Sequence, residues 1–140
     1  MTVPPAVDYN APVIAEFRAN HGHVGGRFTG APLLLLHTVG ARSGAPRVNP
    51  MMYLPDGGRY VVFASKGGAD TNPAWYHNLI AHPETVIEVG DETVQVQARE
   101  AHGDEHDELY ARQAALYPGF AAYQARTARV IPVLVLTRQQ

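Results

Sequence analysis

LLLLHTVGARSGAPRVNPMMYLPDGGRYVVFAS, residues 33–65, contains three apolar runs separated by two turn-forming segments. The first run, 33–39, is continuous and bounded by proline and glycine, which predicts a buried strand. Residues 47–54 and 59–65 give the second and third strands. The connections GARSGAP and PDGG are too short for crossovers, so we expect the three strands to be neighbours in antiparallel hairpins.

The rest of the chain alternates between helical and extended patterns. Val13, Ile14 and Phe17 share one side of a short amphipathic helix, and a glycine-rich loop follows it. Val94 and Val96 alternate with glutamines, as in a half-buried strand. We therefore predict helices over 12–20, 73–81 and 104–116, an interruption at YPGF, and a short helix after it to about 129. Further strands are predicted over 85–89, 92–99 and the C-terminal VIPVLVLTR.

This order of elements predicts an α+β fold. About six mostly antiparallel strands would form a curved or partly closed barrel with helices packed outside it. A length of 140 residues suits one domain over 1–140, in which residues 1–30 supply an N-terminal helix and loop.

Composition excludes several classes of function. The formal net charge of −2 argues against general nucleic-acid binding, and the absence of cysteine excludes disulfides and thiolate chemistry. The start of the chain lacks the pattern of a signal peptide, and APLLLLHTV is too short to span a bilayer. We expect a cytoplasmic protein, monomer or homodimer, whose cation-poor N-terminal helix allows at most weak peripheral contact with a membrane.

A candidate anion site follows the third strand. Lys66 precedes Gly67 and Gly68, and a helix begins nearby with Asn72 as its N-cap and Pro73 at its first position. Glycine amides, a helix N-terminus and a lysine all favour an anion. The hairpin topology brings the turn with Arg42 and Arg47 to the same end of the sheet. The alternative is an ordinary surface loop with solvated charges.

Aromatic side chains suggest a second part of the site. Trp75 and Asn78 share a helix face, and either Met52 or Tyr53 faces any pocket because neighbours on a strand alternate. Three further aromatics could form a wall over a flat apolar substrate, namely Tyr117, Phe120 and Tyr123. The alternative for Trp75 and for this wall is core packing.

Metal and nucleophile chemistry have weaker support. His21 and His23, His77 and His82, and His102 and His106 lack the spacing of a metal site, so we expect no metal. Ser43 has no recognisable base partner.

The segments EFRANHGHVGG, LLLLHTVGARSGAPRVNPMMYL, YVVFASKGGADTNPAWYHNL and ALYPGFAAYQARTARVIPV together resemble the deazaflavin-dependent nitroreductase and quinone reductase family of actinobacteria. They cover nearly the whole chain. The resemblance implies a split β-barrel, related to flavin mononucleotide-binding proteins, that uses the 5-deazaflavin coenzyme F420.

The resemblance also implies roles for individual residues. The phosphate and acidic tail of the cofactor would be held by Arg42, Ser43, Arg47, Lys66, Gly67 and Gly68. The deazaflavin and ribityl part would be lined by Met52, Ala64, Ser65, Trp75 and Asn78. The substrate would be bordered by Met52, Tyr117, Phe120 and Tyr123. Ser65 is the single catalytic candidate, since it could fix the ring or polarise an acceptor oxygen.

Departures from the family pattern favour one type of acceptor. Ala41 stands where many members carry a second basic residue. Met52 and Phe120 stand where some members carry tyrosine, which makes nitroimidazole reduction less favoured than quinone reduction. The expected function is hydride transfer from reduced F420 to a quinone or similar flat acceptor, with nitroaromatics as a second class. Two alternatives stay open: a non-catalytic F420 carrier, and a barrel that binds flavin mononucleotide or haem.

Overall fold

The computed structural model describes residues 10–139, so the predicted N-terminal segment 1–30 lies partly outside the described residues. Within this range the chain forms four α-helices and seven β-strands. The helices are α1 (Asn10–Ala19), α2 (Ala74–Ala81), α3 (Gly103–Leu116) and α4 (Gly119–Ala125). The strands are β1 (Leu33–Val39), β2 (Pro46–Met52), β3 (Leu54–Asp56), β4 (Arg59–Phe63), β5 (Glu84–Val89), β6 (Glu92–Ala101) and β7 (Val133–Arg138).

The seven strands form one antiparallel sheet in the order β2-β1-β5-β6-β7-β4-β3. Its two outer strands, β2 and β3, are consecutive in the chain and separated only by Tyr53. The sheet must therefore curl until its two edges approach each other. This confirms the predicted α+β fold with a curved, partly closed barrel.

The predicted strand over 47–54 is wrong in one respect, because the structure divides it into β2 and β3. Residues 46–52 pair with β1, whereas residues 54–56 pair with β4. The described sheet consequently has seven strands rather than six, and the predicted hairpin between the second and third strands covers only 54–56. Pro46, Pro50 and Pro55 lack an N–H donor, which suits the edge positions of both strands.

Two faces of the sheet carry separate buried clusters. Alternate residues of five strands, together with Leu79 of α2, form the cluster inside the barrel, which includes Leu34, Leu36, Val62, Ile87, Val94, Val96, Leu134 and Leu136. On the outside, α1 covers Leu33 and Leu35 with Phe17. The LLLL run is continuous because β1 is buried on both faces.

Helix α1 confirms the predicted N-terminal amphipathic helix, although it begins at Asn10. Arg18 Nη2 donates to Glu88 Oε2 at 2.8 Å, and His37 Nε2 lies 2.7 Å from the same oxygen. The Arg18 guanidinium holds the pKa of Glu88 below its usual range. These contacts join α1 to the outer face of β1 and β5.

Three predicted helix ends need correction. Pro73 is the N-cap of α2, with ψ of 154°, and Asn72 instead accepts a hydrogen bond from Arg129. His102 caps α3, so Asp104 lies in its first turn. Helix α4 ends at Ala125 rather than near 129. At the start of α2, the cap preference of Asn72 loses to its hydrogen bond with the distant Arg129.

Gln113 gives a prediction about stability. It is fully buried in α3, and neither its side-chain oxygen nor its nitrogen has a hydrogen-bond partner. Because burying an unpaired amide costs about 1–3 kcal/mol, Gln113→Met should raise the free energy of unfolding by about 1 kcal/mol. Urea denaturation measures this change. Gln97→Met is the control, since Gln97 is exposed on β6 and should change stability little; an equal gain in both variants would contradict the prediction.

In the described part of the chain, none of the helices has the length and apolar character needed to cross a membrane.

Candidate functional site

A cationic cleft of about 560 Å³ lies at the end of β1 and β2 where they are joined by a turn. Both predicted arginines, Arg42 and Arg47, line it. Ala74, the first residue of α2, also lines the cleft, so the partial positive charge of the helix N-terminus adds to that of the arginines. The remaining lining residues are Gly40, Ala41, Ser43, His77 and Asn78. This arrangement favours an anion.

Asn78 fixes the turn that carries Arg42. Its side chain is 8% exposed; Oδ1 accepts a hydrogen bond from the Ala41 amide at 2.9 Å, and Nδ2 donates to Thr38 Oγ1 at 3.3 Å. Within the turn, Ser43 Oγ accepts from the Ala45 amide at 3.1 Å. Asn78 thus lies at the cationic cleft, with the arginines and not among the residues of the apolar cleft, and it holds the arginine turn against α2.

A second, apolar cleft of about 390 Å³ opens near the junction of β2 and β3. Its lining combines predicted and unpredicted residues: Phe28, Met51, Met52, Phe63, Ser65, Gly67, Phe120 and Tyr123. Phe120 forms edge-to-face pairs with Phe63 at 5.7 Å and with Tyr123 at 5.2 Å between ring centroids. These rings offer an aromatic wall to a flat apolar molecule.

Tyr110 supports this wall from behind. Its hydroxyl donates to the Phe120 carbonyl at 2.6 Å, and its ring packs against Phe63 at 5.8 Å. Burial raises the pKa of Tyr110 to about 12, so the hydroxyl stays protonated and keeps donating at neutral pH.

Two segments run from the apolar cleft to the cationic cleft. Strand β2 contributes Met51 and Met52 to the first and Arg47 to the second. The loop after β4 contributes Ser65 and Gly67 to the first, and it leads to Ala74 at the second. Strand β2 and this loop thus connect the two clefts along the chain, although the clefts share no lining residue.

The loop 64–72 differs in detail from the expectation. Lys66 Nζ donates to Thr71 Oγ1 at 3.2 Å, and Lys66 is not among the residues that line the cationic cleft. The Gly68 amide donates to the Ser65 carbonyl at 2.9 Å, which leaves Gly67 as the glycine at the apolar cleft. The predicted convergence of three cations thus holds for Arg42 and Arg47, whereas Lys66 lies on the connecting loop.

Three other predicted site residues line neither the cationic nor the apolar cleft. Trp75 packs against the cluster inside the barrel, and Ala64 belongs to that cluster. Tyr117 is half-buried at the end of α3 and does not line the apolar cleft. Sequence reasoning missed Phe28, Met51 and Phe63, whose apolar character is equally typical of core residues.

A further cavity of about 750 Å³ lies elsewhere, between α1 and the glycine-rich loop. Two of its polar groups already have partners: Glu16 accepts from the Gly25 amide, and His21 pairs with Asp91. It shares Phe28 with the apolar cleft. This cavity has neither the arginine pair of the cationic cleft nor the aromatic wall of the apolar cleft.

Comparison with known proteins identifies the chain's relatives. The model of the F420H₂-dependent quinone reductase family matches residues 12–138. An F420H₂-dependent quinone reductase of Mycobacterium tuberculosis strain H37Rv is 43% identical over 131 residues, which is 89% of this chain and 87% of the relative.

Solved structures agree with this assignment. An F420H₂-dependent reductase is 37% identical, with a TM-score of 0.69, over 81% of this chain and 97% of that one. A domain-swapped dimer is 36% identical, with a TM-score of 0.70, and the match covers 89% of this chain and 92% of that one. The haem storage protein HutZ of Vibrio cholerae is 17% identical, with a TM-score of 0.57, over 93% of this chain and 90% of that one. At this identity the likeness shows the fold alone. The family match over residues 12–138 and the 43% identity to the mycobacterial relative, with which the split barrel agrees, show that the chain belongs to the F420H₂-dependent quinone reductase family.

Proposed function

We propose that this protein is an oxidoreductase that reduces a quinone with the reduced deazaflavin coenzyme F420H₂. The observation that carries the proposal is that β2 and the segment after β4 contribute residues both to a cationic cleft and to an aromatic, apolar cleft. A cofactor with a planar ring and an anionic phosphate chain fits this combination, and so does a flat acceptor above the ring.

In this proposal the cationic cleft binds the anionic part of the cofactor. Arg42 and Arg47 pair with phosphate and carboxylate oxygens, and Ser43 offers a hydroxyl beside them. Lys66 adds a positive charge from the connecting loop, and Gly67 allows the backbone to approach the ligand. Asn78 and Gly68 have an indirect role: Asn78 fixes the turn that carries Arg42, and Gly68 fixes the loop 64–72.

The apolar cleft orients the reacting rings and excludes water. Met52 and Ser65 would contact the deazaflavin, with Ala64 and Trp75 packed behind them, and Phe120 and Tyr123 would stack against the acceptor. The bound coenzyme supplies a hydride, which together with one proton from solvent converts the quinone to a hydroquinone. Ser65 is proposed to hydrogen-bond either the ring or the acceptor oxygen. The predicted contact of Tyr117 with the substrate stays a prediction.

Several finer expectations also stay predictions. They are the single domain over 1–140, the choice between monomer and homodimer, the cytoplasmic location and the weak peripheral contact with a membrane. Size-exclusion chromatography with light scattering would decide the oligomeric state.

The test is an anaerobic fluorescence titration of the protein with F420, followed by addition of menadione to the complex with reduced cofactor. We expect saturable binding and menadione-dependent reoxidation. Binding without reoxidation of any of several quinones would favour a carrier. Absence of F420 binding together with tight binding of flavin mononucleotide would overturn the proposal.

A further inference from the structure

Arg129, which lies between α4 and β7, forms the densest hydrogen-bond set on the proposed cofactor loop. Its Nε donates to the Ala69 carbonyl at 2.8 Å, and its Nη2 donates to the Ser65 carbonyl at 2.9 Å. Its Nη1 donates to Asn72 Oδ1 at 2.8 Å and to the Ala64 carbonyl at 3.2 Å. One side chain therefore binds both ends of the loop 64–72.

Arg129 is itself held by α4. Gln124 Nε2 donates to the Arg129 carbonyl at 2.7 Å, and Gln124 Oε1 accepts from the Ile131 amide at 3.0 Å. Because Phe120 and Tyr123 also belong to α4, the same helix supports the aromatic wall and the anchor of the loop.

The loop needs such an anchor because part of it has an unfavourable backbone conformation. Lys66 has φ of 47° and Gly67 has φ of 62°. A lysine in the left-handed region costs roughly 1 kcal/mol, which contacts elsewhere must offset. The planar guanidinium, with donors that point in fixed directions, can satisfy several carbonyl oxygens together, as an ammonium group cannot.

The charge of Arg129 has a second effect. Within residues 10–139 its guanidinium makes no ion pair, because all its side-chain partners are carbonyl oxygens. A half-buried cation without a carboxylate beside it adds positive potential to the loop.

We propose that Arg129 is a positioning residue, which holds the loop 64–72 in the conformation that binds F420H₂. The inference rests on the proposed function, since it assigns the loop to the cofactor. It predicts that loss of the guanidinium affects the cofactor more than the quinone, because the quinone contacts mainly the α4 wall.

The test compares Arg129→Met with wild type in steady-state reduction of menadione by F420H₂. We expect the KM for F420H₂ to rise on the order of tenfold, as for the loss of a charged hydrogen-bonding group, and the KM for menadione to change less than about twofold. Arg112→Met is the matched control, because Arg112 also holds backbone and side-chain oxygens, those of Pro55 and Asp56, and none of these three residues lines either cleft. An equal rise of both KM values, or no rise in either, would overturn the proposal.

Hydrogen exchange of the cofactor-free protein separates this inference from the proposed function. In Arg129→Met we expect faster exchange of the Gly68 and Ala69 amides, which bond within the loop, while the amides of β5 and β6 stay protected. Unchanged exchange in the loop would overturn the positioning role even if wild type reduces quinones. Should the methionine variant not fold, Arg129→Lys is the second variant, since it keeps the charge but lacks the planar guanidinium. If Arg129→Lys has the KM values and the loop hydrogen exchange of wild type, the positioning role of Arg129 is also overturned.

Discussion

Replacing both Arg42 and Arg47 with glutamine is expected to weaken F420 binding by at least about a hundredfold, since each charged hydrogen bond contributes roughly 1.5–3 kcal/mol. Both side chains line the cationic cleft beside the first residue of α2. Glutamine keeps much of the side-chain length and removes the charge, so the fold should persist. Fluorescence titration with F420 measures the affinity.

The control for net charge is the double variant Arg99→Gln and Arg138→Gln. It changes the charge equally, but these arginines pair with Glu105 and Glu92, away from the clefts. Its affinity should stay within about threefold of wild type, because exposed charges outside the site are screened by salt. A similar loss in both double variants would show a general charge effect and contradict the assignment of the cationic cleft.

Gly68→Ala is expected to lower the free energy of unfolding by about 2–4 kcal/mol, from backbone strain and overpacking together. Gly68 has φ of +84°, and a Cβ there would lie 2.8 Å from the Tyr123 carbonyl oxygen and 3.1 Å from the Tyr123 Cα. Both neighbours are backbone atoms of α4, so they cannot rotate away. Relief of the clash would separate the loop from the aromatic wall, so quinone reduction should also fall.

Gly67→Ala is the matched control in the same loop. Gly67 also has a positive φ, of +62°, but its Cβ would meet nothing within 4 Å. Only the backbone strain of about 1–2 kcal/mol should remain. Urea denaturation of the two variants distinguishes strain from packing, and equal losses would contradict the claim that Gly68 is required for contact with α4.

The strands and the cationic cleft could be predicted from local patterns. The apolar runs and short turns of residues 33–65 determined the antiparallel pairing of β1 with β2, and the hairpin placed Arg42 and Arg47 at one end of the sheet. The composition excluded thiol chemistry, and the SKGG…NPAWYHN spacing indicated a ligand-binding loop. These features depend on neighbours in the chain, and therefore periodicity and turn chemistry determine them.

Only the tertiary structure decided how the barrel closes and which side chains support the site. The sequence pattern predicts one strand over 47–54, yet the chain changes partner at Tyr53, because curling brings both edges of the sheet together. Arg129 contacts a loop more than 55 residues earlier, as the sequence separations of 57 to 65 show. No local sequence pattern predicts the role of Arg129, because three of its partners are backbone carbonyls, which every residue carries, and the fourth is the side-chain amide of Asn72. Lys66 shows the converse: its residue type suggested direct binding, but its place in the folded loop is set by Thr71 and by long-range packing.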